Sequence, residues 1–485
     1  MLTRRHVSIP FLVLAATVAV VAQQAPDRTH PPQPGPPPAL HLPAVQKQQL
    51  SNGLRVWMVE QHKVPVAQVD LVVFSGAVDD PAGRFGVASL TAAMLENGAG
   101  SRSALEIADA IDFLGADLST GSGIDSSAIR LHVPVARLAD ALPIMADVAL
   151  RPTFPAAELD RLRRERLTSI LQGREQPGTI ASLAFTHVLY PPAHRYATPT
   201  FGTAAVVESL AIDDLRAFYQ AAYRPDNAAL IVTGDVTPAT VMPLLEKSFG
   251  GWKPAGRPIA APALPPAPEP RARTVYLVDK PGAAQSEIRI GWIGVARSTP
   301  DYFPLQVMNT MLGGSFSSRL NMNLREKHGY TYGAFSGFDM RVSAGPFTAA
   351  AAVQTDKTAD ALKEFFNELT GILQPIPADE LSRARHYVAL RFPAGFETTG
   401  DVSRRLEEQL VYHLPDDYFA KYVDDIEGVT AADVHRVAER YIQPSRFAVV
   451  VVGDRKAIEP GIEALKLGPI KVLTLDEIFG PAPTM

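Results

Sequence analysis

Arg325 and Tyr332 stand seven residues apart in REKHGYTY, and a guanidinium and a phenol at that spacing can act on one oxygen. Gly329, between them, can take the left-handed conformation that ends a helix. The chain then reverses into YTYGAFSGF, a strand whose alternation puts Tyr330 and Tyr332 on one face. An arginine near the helix end and a tyrosine on the return strand can converge on one point, and together they suit a peptide carbonyl or a developing oxyanion. Taken singly, Arg325 reads as a solvated helix residue near a favourable dipole end, and Tyr332 as a half-buried strand aromatic.

Other reactive groupings are missing. The eleven histidines include no pair at i+3 or i+4, so no helix presents two imidazoles to one metal. His187 and His194 are separated by Pro191 and Pro192, which break any shared helix. The chain has no G-x-S-x-G elbow and no phosphate-cradling loop with a lysine. Asp79-Asp80 before Pro81 reads as a turn, and Arg404-Arg405 as a charged helix face.

One short helix poses a question. In GRFGVASLTAAMLENGAG, Gly86 stands in front, apolar Val87, Leu90, Met94 and Leu95 lie inside, and Gly98 is a natural stop. The face carrying Ser89, Ala92 and Ala93 offers nothing that binds a metal or moves a proton. A small-residue face of this kind also serves plain close packing.

The elements around these residues fall into two similar halves. DDLRAFYQAAYRPDNAALIVTGD ends the first and ADVHRVAERYIQPSRFAVVVVGD the second, each an amphipathic helix, an aromatic, a proline, a β-branched strand and Gly-Asp. Each half opens with a strand pair, LRVWMVE with AQVDLVVFSGA and TVYLVDK with SEIRIGWIGVA. The reading is an α+β fold of two similar domains in tandem, each a mostly antiparallel sheet covered by helices. The domains span 45–252 and 273–485, with a Pro/Ala-rich linker at 253–272 and a Pro-rich tether at 23–44.

Residues 1–22 read as a signal peptide, with basic MLTRRH, apolar IPFLVLAATVAVV and a small-residue cleavage site before Gln23. A retained membrane anchor is the alternative, disfavoured by the short run and by Pro10 and Thr17. The expectation is export to a bacterial periplasm or beyond, with no stable membrane span after cleavage. Zero cysteines exclude disulfides and thiolate metal sites. A net charge of −5 without Lys/Arg-rich runs argues against nucleic acid.

The stretch from SNGLRVWMVE through MLENGAG resembles the opening of the pitrilysin/insulinase/mitochondrial processing peptidase family, inverzincins whose helix carries H-x-x-E-H. Laid onto that pattern, the two histidine positions are Ser89 and Ala93 and the glutamate is Ala92. The family's third ligand, a glutamate on a later helix, falls near Ser169 in PAAELDRLRRERLTSIL, with Glu165 close by. The resemblance therefore implies a degenerate zinc motif and no metal bound by this chain. YPPAHRYATPTFGT resembles the family's "HPY…G" segment, with His194 ordering that loop. LGGSFSSRLNMNLREKHGYTYGAFSGF is the most specific match and carries the family's Arg and Tyr as Arg325 and Tyr332. Gly313-Gly314 before Ser315 resembles its glycine-containing loop, which serves close approach of substrate or partner, or equally a flexible connection.

By resemblance, the chain looks like the zinc-less half of a heterodimeric, clam-shell metallopeptidase. Its partner would be a homologous subunit with H-x-x-E-H that holds zinc, and its substrate an unfolded or short peptide held by strand addition. The alternative is a non-catalytic assembly or peptide-binding protein that keeps the fold for its shape. An independent hydrolase has no positive support in the sequence.

Overall fold

The computed structural model describes residues 44–254, 257–259, 264–266, 268–269 and 272–483. The signal and tether readings, and part of the linker, lie outside the described residues. Two six-stranded sheets carry the chain. The first contains β1 (Gln46–Gln49), β2 (Arg55–Glu60), β3 (Val66–Val73), β6 (Asp117–Ser122), β7 (Ser127–Pro134) and β8 (Ala228–Gly234). A small ribbon, β4 (Gly98–Ala99) with β5 (Arg102–Ser103), stands apart from it. The second contains β9 (Thr274–Asp279), β10 (Gln285–Ile293), β11 (Thr331–Phe338), β12 (Pro346–Gln354), β13 (Ala448–Gly453) and β14 (Ile470–Leu473).

The strand orders are β1-β2-β8-β3-β7-β6 and β11-β12-β10-β13-β9-β14. Reading the second backwards pairs β2 with β9, β8 with β13, β3 with β10, β7 with β12 and β6 with β11. In both sheets the closing strand runs parallel to the opening one and antiparallel to the next. The α+β duplication expected from the sequence is thus present strand for strand. Each sheet then adds one edge strand of its own, β1 antiparallel to β2 and β14 parallel to β9.

The closing strands are buried along their whole length, both faces included. One face of each sheet packs on helices of its own half. The other face is covered by a helix from the opposite half. Helix Pro177–Leu189 sets Ile180, Ala181 and Ala184 against Val450 and Val452 of β13. Reciprocally, helix Thr399–Val411 sets Val402, Leu406 and Leu410 against Val72 of β3 and Ile231 of β8. Each such leucine or valine contributes about 1.5–3 kcal/mol relative to leaving it in water. Polar contacts fix the second crossing. Buried Asp70 accepts from Ser403 Oγ and from Gln68 Nε2, and Thr233 Oγ1 donates to the Thr399 carbonyl at 2.8 Å.

Arg404 and Arg405 lie on that crossing helix and divide in role. Arg404 is the exposed member and pairs with Asp401, as a charged face would. Arg405 instead lies near the rings of Phe392 and Phe396 and pairs with Glu408 at 3.1 Å.

Candidate functional site

Helix Val87–Met94 is held at its start by a carboxylate rather than by a conventional cap. Asp80 accepts from the N–H groups of Gly86 at 2.6 Å and Ala88 at 2.8 Å, and from Arg195 Nε at 2.9 Å. Asp80 and Arg195 are both buried. Burial pushes the Asp80 carboxyl up, and Arg195 with the two N–H groups pulls it back toward the ionised form. Reading Asp79-Asp80 as a simple turn therefore missed the anchor of this helix. Gly86 has φ of +111°, and a Cβ there would lie 2.7 Å from the Phe201 carbonyl oxygen, so only glycine fits.

Asp79 is the second acid of the pair, and burial raises its carboxyl to about 6. The sign follows from proton linkage. Its folded value lies above the unfolded one of about 4, so the stabilising proton is fully present below pH 4 and lost as pH rises through 6. Asp79→Asn is expected to leave stability at pH 4 nearly unchanged. At pH 8 it should add about 1–2 kcal/mol, after discounting for partial exposure. Urea unfolding at the two pH values checks this.

The four positions laid on the zinc ligands and base offer no donor set. Ser89 Oγ accepts from Arg166 Nη2 at 3.0 Å. Ala92 is buried, and its carbonyl accepts from Thr120 Oγ1 at 2.8 Å. The Ala93 carbonyl accepts from Asn97 Nδ2 at 2.6 Å. Ser169 is exposed and donates back to the Glu165 carbonyl of its own helix at 2.9 Å, while the Glu165 side chain pairs with Arg161 at 2.7 Å. Among the described residues no cluster of three or more His, Asp or Glu is arranged to hold a metal ion.

Arg166 turns that blankness into a mismatch, because zinc would meet a fixed positive charge beside Ser89. Its Nη1 is buried without a hydrogen-bond acceptor among the described residues, and burial lowers its guanidinium to about 10. Two methyl groups, two hydroxyls and a guanidinium do not fit zinc. Sequence reading passed over Arg166, since within LRRER it looks like one more solvated cation. Only the packing of helix Ala156–Gly173 against helix Val87–Met94 singles it out.

The second candidate pair stands on a different framework. Helix Tyr302–Leu312 ends at Gly313-Gly314, whose N–H groups both donate to the Asn309 carbonyl at 2.9 and 2.7 Å. Asn309 also clasps Ser336 of β11 through its side chain, with bonds of 3.0 and 2.7 Å. A Cβ on Gly313 would lie 2.3 Å from the Ser336 nitrogen. The glycine is required by the chain's own packing, since the group that approaches it is the strand carrying Tyr332. Gly313→Ala should therefore cost about 1–3 kcal/mol through overpacking, read by thermal unfolding.

Arg325 lies in a widened turn, Met322–Lys327, where the His328 N–H reaches back five residues to the Asn323 carbonyl at 3.1 Å. Gly329 ends it at φ +65°, as expected from its position. The strand that follows carries a bulge. Thr331 pairs with Val353 and Ala334 with Ala351, which leaves Tyr332 and Gly333 opposite one residue. Tyr332 is 90% exposed. Tyr330 does not share its setting, because it precedes the strand and stacks on His328 with centroids 4.9 Å apart. The half-buried aromatic expected at 332 is thus found at 330.

The Arg325 guanidinium lies over the Phe316 ring at 4.7 Å and 3.3 Å from the Glu326 carboxylate. Phe316 is itself exposed, as are Met322 and Phe335. Among the described residues no hydrogen bond joins Arg325 to Tyr332. Both reach solvent, and Tyr332 lies on β11, which among the described residues is an edge strand paired with β12. His194 serves its loop as read: buried, it accepts the Tyr196 N–H on Nδ1 at 3.0 Å, and burial lowers its pKa.

Two family models match the chain, the insulinase peptidase family M16 over residues 55–182 and the peptidase M16 inactive domain over residues 209–388. An uncharacterized zinc protease of Streptomyces coelicolor is 26% identical over 419 residues, 85% of this chain and 90% of that protein. One of Mycobacterium tuberculosis is 26% identical over 415 residues, covering 84% and 93%. Among solved structures, a peptidase M16 inactive domain from Pseudomonas fluorescens superposes with a TM-score of 0.78 at 27% identity, over 84% of this chain and 98% of that one. A protease from Helicobacter pylori shares the fold, with a TM-score of 0.79 at 22% identity over 85% and 100%.

Proposed function

Because the chain belongs to the insulinase (M16) family of peptidases, we propose that it works as the metal-free half of a two-chain peptidase. One contrast within the chain carries this reading. The four zinc-motif positions hold serine and alanine with a guanidinium beside Ser89, while Tyr332 stands in solvent on a bulged edge strand and Arg325 lies in the turn that precedes it. A chain that lacks the metal-binding side chains in one half and keeps an arginine and a tyrosine at the family's positions in the other suits a division of labour.

The partner is a homologous subunit carrying H-x-x-E-H, whose zinc would polarise the substrate's scissile carbonyl and activate the hydrolytic water. This chain binds the peptide. An unfolded or short peptide adds as a strand along an open sheet edge, and β11 is the edge nearest the pair. Tyr332 then donates its O–H, and Arg325 its N–H groups, to the carbonyl oxygen as negative charge builds there. Export through the N-terminal apolar segment belongs to the same proposal and places the pair of chains in the periplasm. Nucleic acid has no part in it. Among the described residues no helix is long and apolar enough to cross a membrane.

The test is co-expression with a homologue that carries the zinc motif, followed by peptide-cleavage assays of each chain alone and mixed. Cleavage confined to the mixture supports the proposal. Unchanged mixed activity in Arg325→Ala and Tyr332→Phe would instead favour a peptidase-fold assembly or peptide-binding protein. One equivalent of zinc in this purified chain would contradict the reading of its first half.

A further inference from the structure

A cleft of about 470 Å³ lies in the first half, apart from the residues given roles above, between helix Ala104–Phe113, the start of β6 and helix Ala156–Gly173. Ile107, Ile111, Leu118 and Leu162 give it apolar walls. Glu96, Asp112 and Asp117 bring three carboxylates to the same space, and among the described residues Arg161 is the one cation that lines it. Arg161 is already engaged. It donates to Glu158 and to Glu165, each at 2.7 Å, and to Asn97 Oδ1 at 2.6 Å. Among the described residues none of the three lining acids forms an ion pair. Asp112 and Asp117 are exposed, while Glu96 is half-buried, and burial pushes its carboxyl up. The walls therefore suit an alkyl chain, and the acids call for a positive charge at its end. The three acids are not arranged to hold a metal ion, so the cation that fits is an organic one.

We propose that this cleft receives the basic side chain of a bound peptide. The proposal rests on the reading of the chain as a peptide-handling protein, and it adds a substrate class, peptides with an arginine or lysine among apolar residues. The stem of such a side chain packs on the isoleucines and leucines, and its head meets the carboxylates through charge-assisted hydrogen bonds. The occupant is a peptide rather than a free amine because the cleft borders an open sheet edge. Asp117 and Leu118 begin β6, which ends the first sheet and pairs with β7 alone among the described residues. An extended main chain can add along that edge while one side chain enters the cleft. An acidic side chain would be repelled from the same place.

Fluorescence anisotropy on the full isolated chain tests this with labelled peptides of leucine and alanine, blocked at both ends. They differ only in the central residue, which is arginine, its uncharged isostere citrulline, or glutamate. The arginine peptide should bind about tenfold more tightly than the citrulline peptide, and the glutamate peptide should bind weakest. A single blocked arginine residue should compete at least about tenfold less well than the whole arginine peptide. Asp112→Asn with Asp117→Asn should remove most of the preference for arginine over citrulline, and adding Glu96→Gln should remove the rest. Thermal unfolding confirms that the variants fold, and the comparison of peptides on the wild-type chain needs no variant. Equal binding of the arginine and citrulline peptides, or no binding of any at millimolar peptide, would overturn the inference. So would a preference that survives the triple change, or competition by the single residue as strong as by the peptide. Dependence of mixed cleavage on Arg325 would then still stand, so the two failures are distinguishable.

Discussion

Mixed with a zinc-bearing homologue, Arg325→Ala should cleave peptide about 10²–10³-fold more slowly than the wild-type mixture. The loss should fall mainly on kcat, because a guanidinium aimed at a carbonyl oxygen gains strength as that oxygen becomes negative. Tyr332→Phe removes one O–H and little else, since the ring is 90% exposed and supports no core. It should lower kcat in the same direction by a smaller factor, with unchanged thermal unfolding. The double variant should lose less than the product of the two single losses if both act on one oxygen. Full additivity would mean that the two side chains serve different parts of the substrate. Arg325→Lys is an informative intermediate, because lysine keeps the charge and loses the planar fork. It should recover only part of the rate.

The largest stability effect is expected at Asp80. Asp80→Ala strands the buried Arg195 guanidinium and takes the acceptor from the Gly86 and Ala88 N–H groups. Breaking a buried pair by removing one partner costs about 3–5 kcal/mol, because the remaining charge stays out of water. Urea unfolding should show that loss as a lower midpoint with an unchanged slope. Asp80→Asn should cost less, since the amide oxygen can still accept one N–H while the charge pairing is gone. Because Asp80 also attracts Arg166, either change should make the Arg166 guanidinium less well compensated. A loss within 1 kcal/mol for Asp80→Ala would mean that loop 195–202 relaxes around the vacated site instead of holding its shape.

Much of the framework was legible in residue order. The Pro-to-Gly-Asp unit recurs with equal spacing in the two halves, and it marks β8 and β13, the strands buried on both faces. Gly329 punctuated its turn as expected, because a positive φ is a local demand that one residue type meets. The glycine pair 313-314 was visible as a motif, yet its reason was not, since the contact that forbids a Cβ comes from Ser336 far along the chain. Tyr330 and Tyr332 were given one face by strict alternation. Tyr330 instead precedes the strand and Tyr332 sits in a bulge, and bulges follow from the partner strand's register, which local sequence does not encode.

By itself, the sequence determined that no two histidines stand at i+3 or i+4 and that one strand-and-helix plan repeats. Both conclusions rest on residue type and spacing, which are properties of the covalent chain. Only the tertiary structure decided that helix Thr399–Val411 covers the first sheet while helix Pro177–Leu189 covers the second. It alone put Asp80 under one helix start and Arg166 against Ser89. Those choices join residues more than 70 positions apart for Arg166 and more than 300 for Asp70 with Ser403. Burial and charge compensation across such distances arise when whole elements pack, so no local pattern could carry them.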